Sequence, residues 1–481
     1  MRTSITMSLL FCVLLAAQAQ TSIQGKVNQL GQAANLQTGQ LGVMVLNVST
    51  GKVLASYNAD KTMIPASTMK AVTTASALKM LGASYQFKTE LQYDGTLENG
   101  VLRGNLYIKG YGDPSLGSAE MEAAMGMEEL LQTWVNAVKK MGIRSIEGAV
   151  IGDASYFRGD IAGRNWQWAD LGNYYASGAW GLNFHENLYR LSFQQTAKLG
   201  ATPKVVKTKP FVPNIEFINE LQSAGSNTGD NAYIYGGPYA NTRIIRGTIP
   251  VGRSLFTIKG SIPNPPLFTA HHLREKLIAS GITVSEKLQS STAAKSNQKR
   301  QILHTHYSPT LVDIAKRANF KSVNLYCESM IRAIGAKNGA KNSLAGGIEA
   351  IETYWASEGV DMHGFFIQDG SGLSARNGTT PNQLACILQQ IAKDKALFDT
   401  FYSTLPVGGQ SGTIKYLFKN TAAAGNIRAK SGSIGRVRAY TGYAKNRAGQ
   451  LLAFAVIANN YTGSSRTVRK QLADLMVRFC L

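Results

Sequence analysis

Hydrophobic periodicity divides this chain into a strand-and-helix opening, a long strand-rich middle and a helix-rich close. Residues 41–48 and 51–57 are apolar runs on either side of Ser49-Thr50-Gly51, a turn signal, and predict a hairpin. Met63-Ile64-Pro65-Ala66 leads into an apolar helical run to about Leu81, with Pro65 near its start. The pattern returns to strands over 87–108, broken at Glu98-Asn99-Gly100. A helical period follows over 127–141, then more strands to about Ile262. A helix begins near Leu267 and ends at Gly281. The stretch 291–300 is polar, basic and aperiodic, the signature of a linker or exposed loop. Helices follow near 309–318, 322–334 and 345–357. A hairpin of 436–444 and 451–459 turns at Asn446-Arg447-Ala448-Gly449, and a basic amphipathic helix over 465–479 closes the chain. No internal repeat is visible. The order predicts an α/β (α+β) protein: one domain from 20–85 and 301–481, split by a mainly β insertion, 86–300.

The N-terminus alters where this domain should act. Arg2 precedes an apolar run from Met7 to Ala17, and Ala17-Gln18-Ala19 is a small-x-small site, so a secretory leader over 1–19, cleaved after Ala19, is expected. The run is too short to span a bilayer. The predicted product is soluble and exported, periplasmic or secreted. Three cysteines then remain, Cys327, Cys386 and Cys480. Their odd number permits at most one internal bridge, and their wide spacing suits neither a disulfide framework nor a metal knuckle.

Charge narrows the partners. Fifty Lys+Arg against 29 Asp+Glu give a net charge of +21, a field that favours anionic surfaces or polymers. The cations are spread along the chain and the leader exports it, so an anionic cell envelope fits better than nucleic acid; the charge could equally serve solubility alone. No metal or cofactor is expected. The six histidines lack H-E-x-x-H spacing, with His271 and His272 adjacent, and there is no G-x-S-x-G elbow or phosphate-binding loop.

Chemistry concentrates in three short stretches: Ser67-Thr68-Met69-Lys70, Ser322-Val323-Asn324 and Lys430-Ser431-Gly432. In the first, Ser67 and Lys70 are three residues apart at a helix start and face the same way. A serine hydroxyl needs a base to become a nucleophile. Lysine can serve if desolvation or a second cation, here Lys430, populates its neutral amine. The helix N-terminus offers backbone N–H groups to a developing oxyanion. S-x-x-K matches also begin at Ser49, Ser76 and Ser296. Ser49 falls in the hairpin turn, Ser76 inside the helix and Ser296 in the polar loop; Ser67 alone has a helix N-terminus and an apolar helix behind it. Ser322 reads either as a helix N-cap or as a hydroxyl relaying a proton to the leaving amine, with Asn324 binding a substrate carbonyl. On a predicted strand, Lys430 can attract a carboxylate while Gly432 lets a substrate peptide approach the backbone; a basic strand residue can also be simple edge protection.

S-x-x-K, S-D-N and K-T-G are the set of penicillin-binding proteins and class A β-lactamases. This chain departs from it at Val323 and Ser431. The surrounding segments resemble the D-alanyl-D-alanine carboxypeptidase/endopeptidases, the low-molecular-mass class C penicillin-binding proteins. Ile64-Pro65-Ala66-Ser67-Thr68-Met69-Lys70 is similar to their nucleophile segment and Gly110-Tyr111-Gly112-Asp113-Pro114-Ser115-Leu116 to their G-x-GDP-x-L segment. Asp153-Ala154-Ser155-Tyr156-Phe157, Trp166-Gln167-Trp168, Gly181-Leu182-Asn183, Asp369-Gly370-Ser371-Gly372-Leu373-Ser374 and Leu405-Pro406-Val407-Gly408-Gly409 also match. The resemblance implies a penicillin-recognising, serine transpeptidase-like domain, an antiparallel sheet flanked by helices and interrupted by two inserted domains. It implies attack by Ser67 on a D-Ala-D-Xaa carbonyl, with Lys70 as base and Ser322 and Asn324 assisting. Lys430, within Lys430-Ser431-Gly432, would bind carboxylate, and the N–H groups of Ser67 and Ser433 would form the oxyanion hole. Peptidoglycan stem peptides would be substrates and β-lactams covalent inhibitors. Asp153 matches a position proposed to hold the free amine of diaminopimelate. A serine β-lactamase and a non-catalytic envelope-binding protein of the same fold are the alternatives, and the long insertion argues against the first. Oligomeric state is left open.

Overall fold

Strand Gln40–Asn47 pairs antiparallel with Val53–Tyr57 on one side and, on the other, with Leu451–Asn459 from the far end of the chain. That pairing closes the split domain. In the computed structural model, which describes residues 23–292, 299–338 and 342–481, the sheet continues through Val437–Lys445 to an edge strand, Ile427–Ile434. The expected leader, Ser296 and most of the polar loop lie outside the described residues. Gln40–Asn47 and Leu451–Asn459 are buried almost throughout, as strands covered on both faces should be. Helix Met69–Leu81 has eleven of its thirteen residues buried, Lys70 included. Helices Pro381–Lys393, Lys395–Ser403 and Ser465–Arg478 also belong to the unit. The first two were not anticipated, although Thr380 and Gln383 form a reciprocal capping box before Pro381 and Asp394 caps the next helix.

The contacts divide the chain into one unit of residues up to 83 with 315–323 and 348–481, and a second of 84–314 with 324–347. The second differs from the sequence-based boundaries. Strand Gln301–Tyr307, expected in the split domain, pairs with Lys88–Tyr93 and so belongs to the insertion. A strand takes its allegiance from its hydrogen-bonding neighbour, which position in the sequence does not reveal. Where two subdomains were expected, one buried cluster runs from Leu91 through Trp134, Phe184 and Ile245 to Leu277. Around it, among the described residues, lie four sheets and helices that include Met127–Lys140 and Pro265–Ala279.

Several of the resembling segments converge inside this inserted unit. The N–H of Gly112 donates to the Gly181 carbonyl (2.7 Å), and the Asn183 amide donates to the carbonyls of Gly112 (3.3 Å) and Asp113 (3.2 Å). Asp113 is buried; one carboxylate oxygen accepts from the Ser115 N–H (2.8 Å) and hydroxyl (2.6 Å), while the other has no hydrogen-bond partner among the described residues. These hydrogen bonds hold the loop together.

Candidate active site

Pro65 and a one-turn 3-10 segment, Ala66–Thr68, precede helix Met69–Leu81 and put Ser67, half-buried, at its mouth. Ala66 has φ 46°, outside the regions most residues prefer, and such strain persists only where the surroundings enforce it. Segment Asp369–Ser374 supplies that enforcement. Gly372, at φ 76°, leaves no room for a Cβ against the Ala66 carbonyl. The Thr73 hydroxyl donates to the Gly370 carbonyl (2.6 Å) and the Lys70 ammonium to the Ser371 carbonyl (2.6 Å). Asp369, buried, accepts from the N–H groups of Gly372 and Ser374, each at 2.6 Å, and from the Asn377 amide at 3.0 Å, which fixes the segment's own shape.

Two serine–lysine pairs meet in this unit. Lys70 Nζ lies 3.0 Å from Ser67 Oγ, and Lys430 Nζ lies 3.0 Å from Ser322 Oγ. Both lysines are fully buried. An amine shielded from water within hydrogen-bonding reach of a hydroxyl is the geometry a general base requires. Ser322 does not cap a helix interior; at φ 57° it sits in the short link between Leu311–Lys321 and Asn324–Lys337. Three residues earlier, the Asn319 amide donates to the hydroxyls of Thr74 (3.2 Å) and Thr404 (3.1 Å), tying that link to helix Met69–Leu81.

Lys430-Ser431-Gly432 falls on the edge strand, as its spacing suggests. A Cβ on Gly432 would stand 2.7 Å from the Pro65 carbonyl and 3.1 Å from the Ser67 nitrogen, so only glycine lets this strand press against the turn that carries Ser67. Segment Pro406–Gly408 covers the outer edge at its start: the Gly408 N–H donates to the Ile427 carbonyl and the Pro406 carbonyl accepts from Ala429. Beyond it, backbone alternation turns the N–H and C=O of Ser431 and Ser433 toward the same outer edge. The Ser431 hydroxyl donates to Thr413 (2.7 Å), a neighbour no sequence pattern indicated.

The remaining predicted residues lie in the inserted unit. Asn324 opens its helix with its amide nitrogen 2.8 Å from the Tyr175 carbonyl. Asp153 is buried, with Lys109 at 3.2 Å on one oxygen and Arg300 at 2.6 Å on the other. Burial alone would raise its pKa; hydrogen bonds from Ser155 and Arg300 and the charge of Lys109 hold it below the usual carboxylate range. A substrate amine at Asp153 would have to displace one of these cations. Of the other sequence expectations, Ser76 is buried mid-helix and accepts from the Trp355 indole (2.9 Å), and Ser49 hydrogen-bonds within its turn. Cys327 and Cys480 are buried, and Cys386 is half-buried.

Residues 23–479 match the D-Ala-D-Ala carboxypeptidase 3 (S13) family. The chain belongs to that family. The D-alanyl-D-alanine carboxypeptidase of Actinomadura sp. (strain R39) is 26% identical over 455 residues, 92% of this chain and 82% of that protein. D-alanyl-D-alanine carboxypeptidase DacB of Haemophilus influenzae is 27% identical over 463 residues, 95% and 92% of the two chains. The solved structure of penicillin binding protein 4 (DacB) from Haemophilus influenzae superposes with a TM-score of 0.79 at 26% identity, covering 94% of this chain and 97% of that one. The fold is thus the penicillin-recognising serine hydrolase fold. The chain is an enzyme, a serine-type D-Ala-D-Ala carboxypeptidase among the penicillin-binding proteins.

Proposed function

We propose that Ser67 is the nucleophile of this carboxypeptidase and that the same site also opens D-Ala–diaminopimelate cross-links, acting as an endopeptidase. The observation that carries the reading is the pair of buried lysines, each 3.0 Å from a serine hydroxyl. Lys70 takes the Ser67 proton as Oγ attacks the carbonyl of the D-Ala-D-Xaa bond. The oxyanion is received by the N–H groups of Ser67 and Ser433. Ser322 passes a proton to the departing amine, and water then hydrolyses the ester. Lys430 draws in the terminal carboxylate, and the edge of Ser431-Gly432-Ser433 aligns the peptide as an added strand. Asn324 keeps the role of donor to a substrate carbonyl, its side chain oriented by Tyr175. Val323 is half-buried between Ser322 and Asn324, and the groups assigned to chemistry lie on either side of it. Asp153 receives no role, being paired with two cations. A β-lactam would acylate Ser67 and stay. The leader over 1–19 and the net charge of +21 support export to an anionic, periplasmic or secreted setting.

Incubating the mature protein with cross-linked and uncross-linked muropeptides, with products identified by mass, tests this. Free D-alanine from the uncross-linked substrate and monomers from the cross-linked one are expected. D-alanine alone would remove the endopeptidase half.

A further inference from the structure

The inserted unit holds a cavity that the chemistry above does not use. It measures about 440 Å³ and is lined by Asn173, Tyr174, Tyr175, Asp230, Tyr233 and Lys259, among others, a size ordinary for a small-ligand site. Its aromatic rings are offered to solvent: Tyr174 is 48% exposed and Tyr233 46%. They stand on fixed supports. Tyr174 packs edge-on against Tyr175, ring centres 5.5 Å apart. Tyr233 belongs to strand Asn231–Tyr235, on the same face as Tyr235, against which Trp168 packs at 4.6 Å. Trp168 is itself 56% exposed, so the rings extend beyond the cavity as a platform. The side chain of Asn173, largely buried, both donates to the Ile234 carbonyl (3.3 Å) and accepts from its N–H (3.2 Å), pinning the strand to the opposite wall.

The polar groups define what fits. Lys259 is the cation of the lining, and its ammonium lies 3.4 Å from Glu120 and 5.6 Å from the Tyr174 ring; Asp230 adds a further negative charge. Arg190 also pairs with Glu120, so two cations face two carboxylates, a balance that does not select an anion. A nucleic-acid strand stacked on such rings needs cations between them for its phosphates, and an acidic peptide needs an unmatched cation. A neutral pyranose has an apolar C–H face for a tyrosine ring and a rim of hydroxyl and amide groups for Asn231, Asp230 and Thr257. A rigid aromatic surface with polar edges binds such a ligand at small entropic cost. We propose that this cavity binds neutral amino-sugar residues of the glycan strand that carries the stem peptide. The inference rests on the peptidoglycan-directed function proposed above. Tyr175 connects the two within the inserted unit, since it lines the cavity and its carbonyl orients Asn324.

The test compares two substrates on the mature protein, a muramyl-disaccharide pentapeptide and the same pentapeptide without sugar. Tyr174→Ala with Tyr233→Ala should lower the ratio of their kcat/KM values about tenfold, the effect of truncating an aromatic anchor. Tyr174→Phe with Tyr233→Phe keeps the rings and should keep most of the ratio. An unchanged ratio in the alanine variant, whose thermal unfolding confirms that it folds, would overturn the proposal. Calorimetry with a β-1,4-linked N-acetylglucosamine tetramer reports on the cavity without turnover. Binding by the wild type that is lost in the alanine variant is expected. No binding, or binding of a single-stranded oligonucleotide instead, would overturn it. If neither pentapeptide is cleaved while the tetramer binds, the catalytic reading fails and the sugar site stands.

Discussion

Replacing Lys70 with methionine should reduce D-alanine release roughly a thousandfold or more, the scale of losing a general base that activates its nucleophile. Lys70 is fully buried and 3.0 Å from Ser67 Oγ, so no other group need move to take the proton. Methionine fills nearly the same volume and cannot accept it. The substitution also deprives the Ser371 carbonyl of its 2.6 Å donor, a loss of about 1–3 kcal/mol for a buried acceptor. Against that, it removes a buried polar group and leaves an apolar side chain of similar volume in its place. The folded population should therefore stay near wild type while turnover collapses. Release within tenfold of wild type would deny Lys70 the role of base.

Asp113→Asn should stabilise the protein at pH 8 and leave it nearly unchanged at pH 4. Burial raises the pKa of Asp113 from 3.8 to about 6, against the opposing hydrogen bonds from Ser115. A carboxyl whose folded pKa is raised binds its proton more tightly when folded. Its contribution is complete below about pH 4 and lost as the pH climbs through about 6. At 1.36 kcal/mol per unit the loss is about 3 kcal/mol. Asparagine keeps an oxygen for the Ser115 N–H and hydroxyl and is neutral throughout. Other carboxylates titrate in the same range in both proteins, so the quantity to read is the difference between variant and wild type in denaturant unfolding across pH 4–8. A difference that does not grow with pH would show that Asp113 is not destabilised by ionising.

The candidate site was legible in the sequence because it depends on side-chain identity. Ser67, Lys70, Ser322 and Lys430 were marked by type, spacing and helix or strand context, and they come together as two serine–lysine pairs. The supports were less legible. Lys70 is held through the backbone carbonyl of Ser371 and Thr73 through that of Gly370, and every residue has a carbonyl. Thr413 reaches Ser431 from a turn eighteen residues away. Strand Gln301–Tyr307 could not be allotted to its unit without its partner Lys88–Tyr93. Asp153 shows what residue type leaves out. Its type suited a ligand for an amine, yet the fold supplies Lys109 and Arg300 to both its oxygens. Helices Pro381–Lys393 and Lys395–Ser403, by contrast, carried readable caps at Thr380 and Asp394.

The central claim is that Ser67 forms the acyl-enzyme. Mass analysis of the intact mature protein after incubation with benzylpenicillin, followed by peptide mapping, addresses it directly. One adduct per chain, on the peptide containing Ser67 and absent from Ser67→Ala, is the expected result. An adduct on another serine, or one that survives in Ser67→Ala, would contradict it.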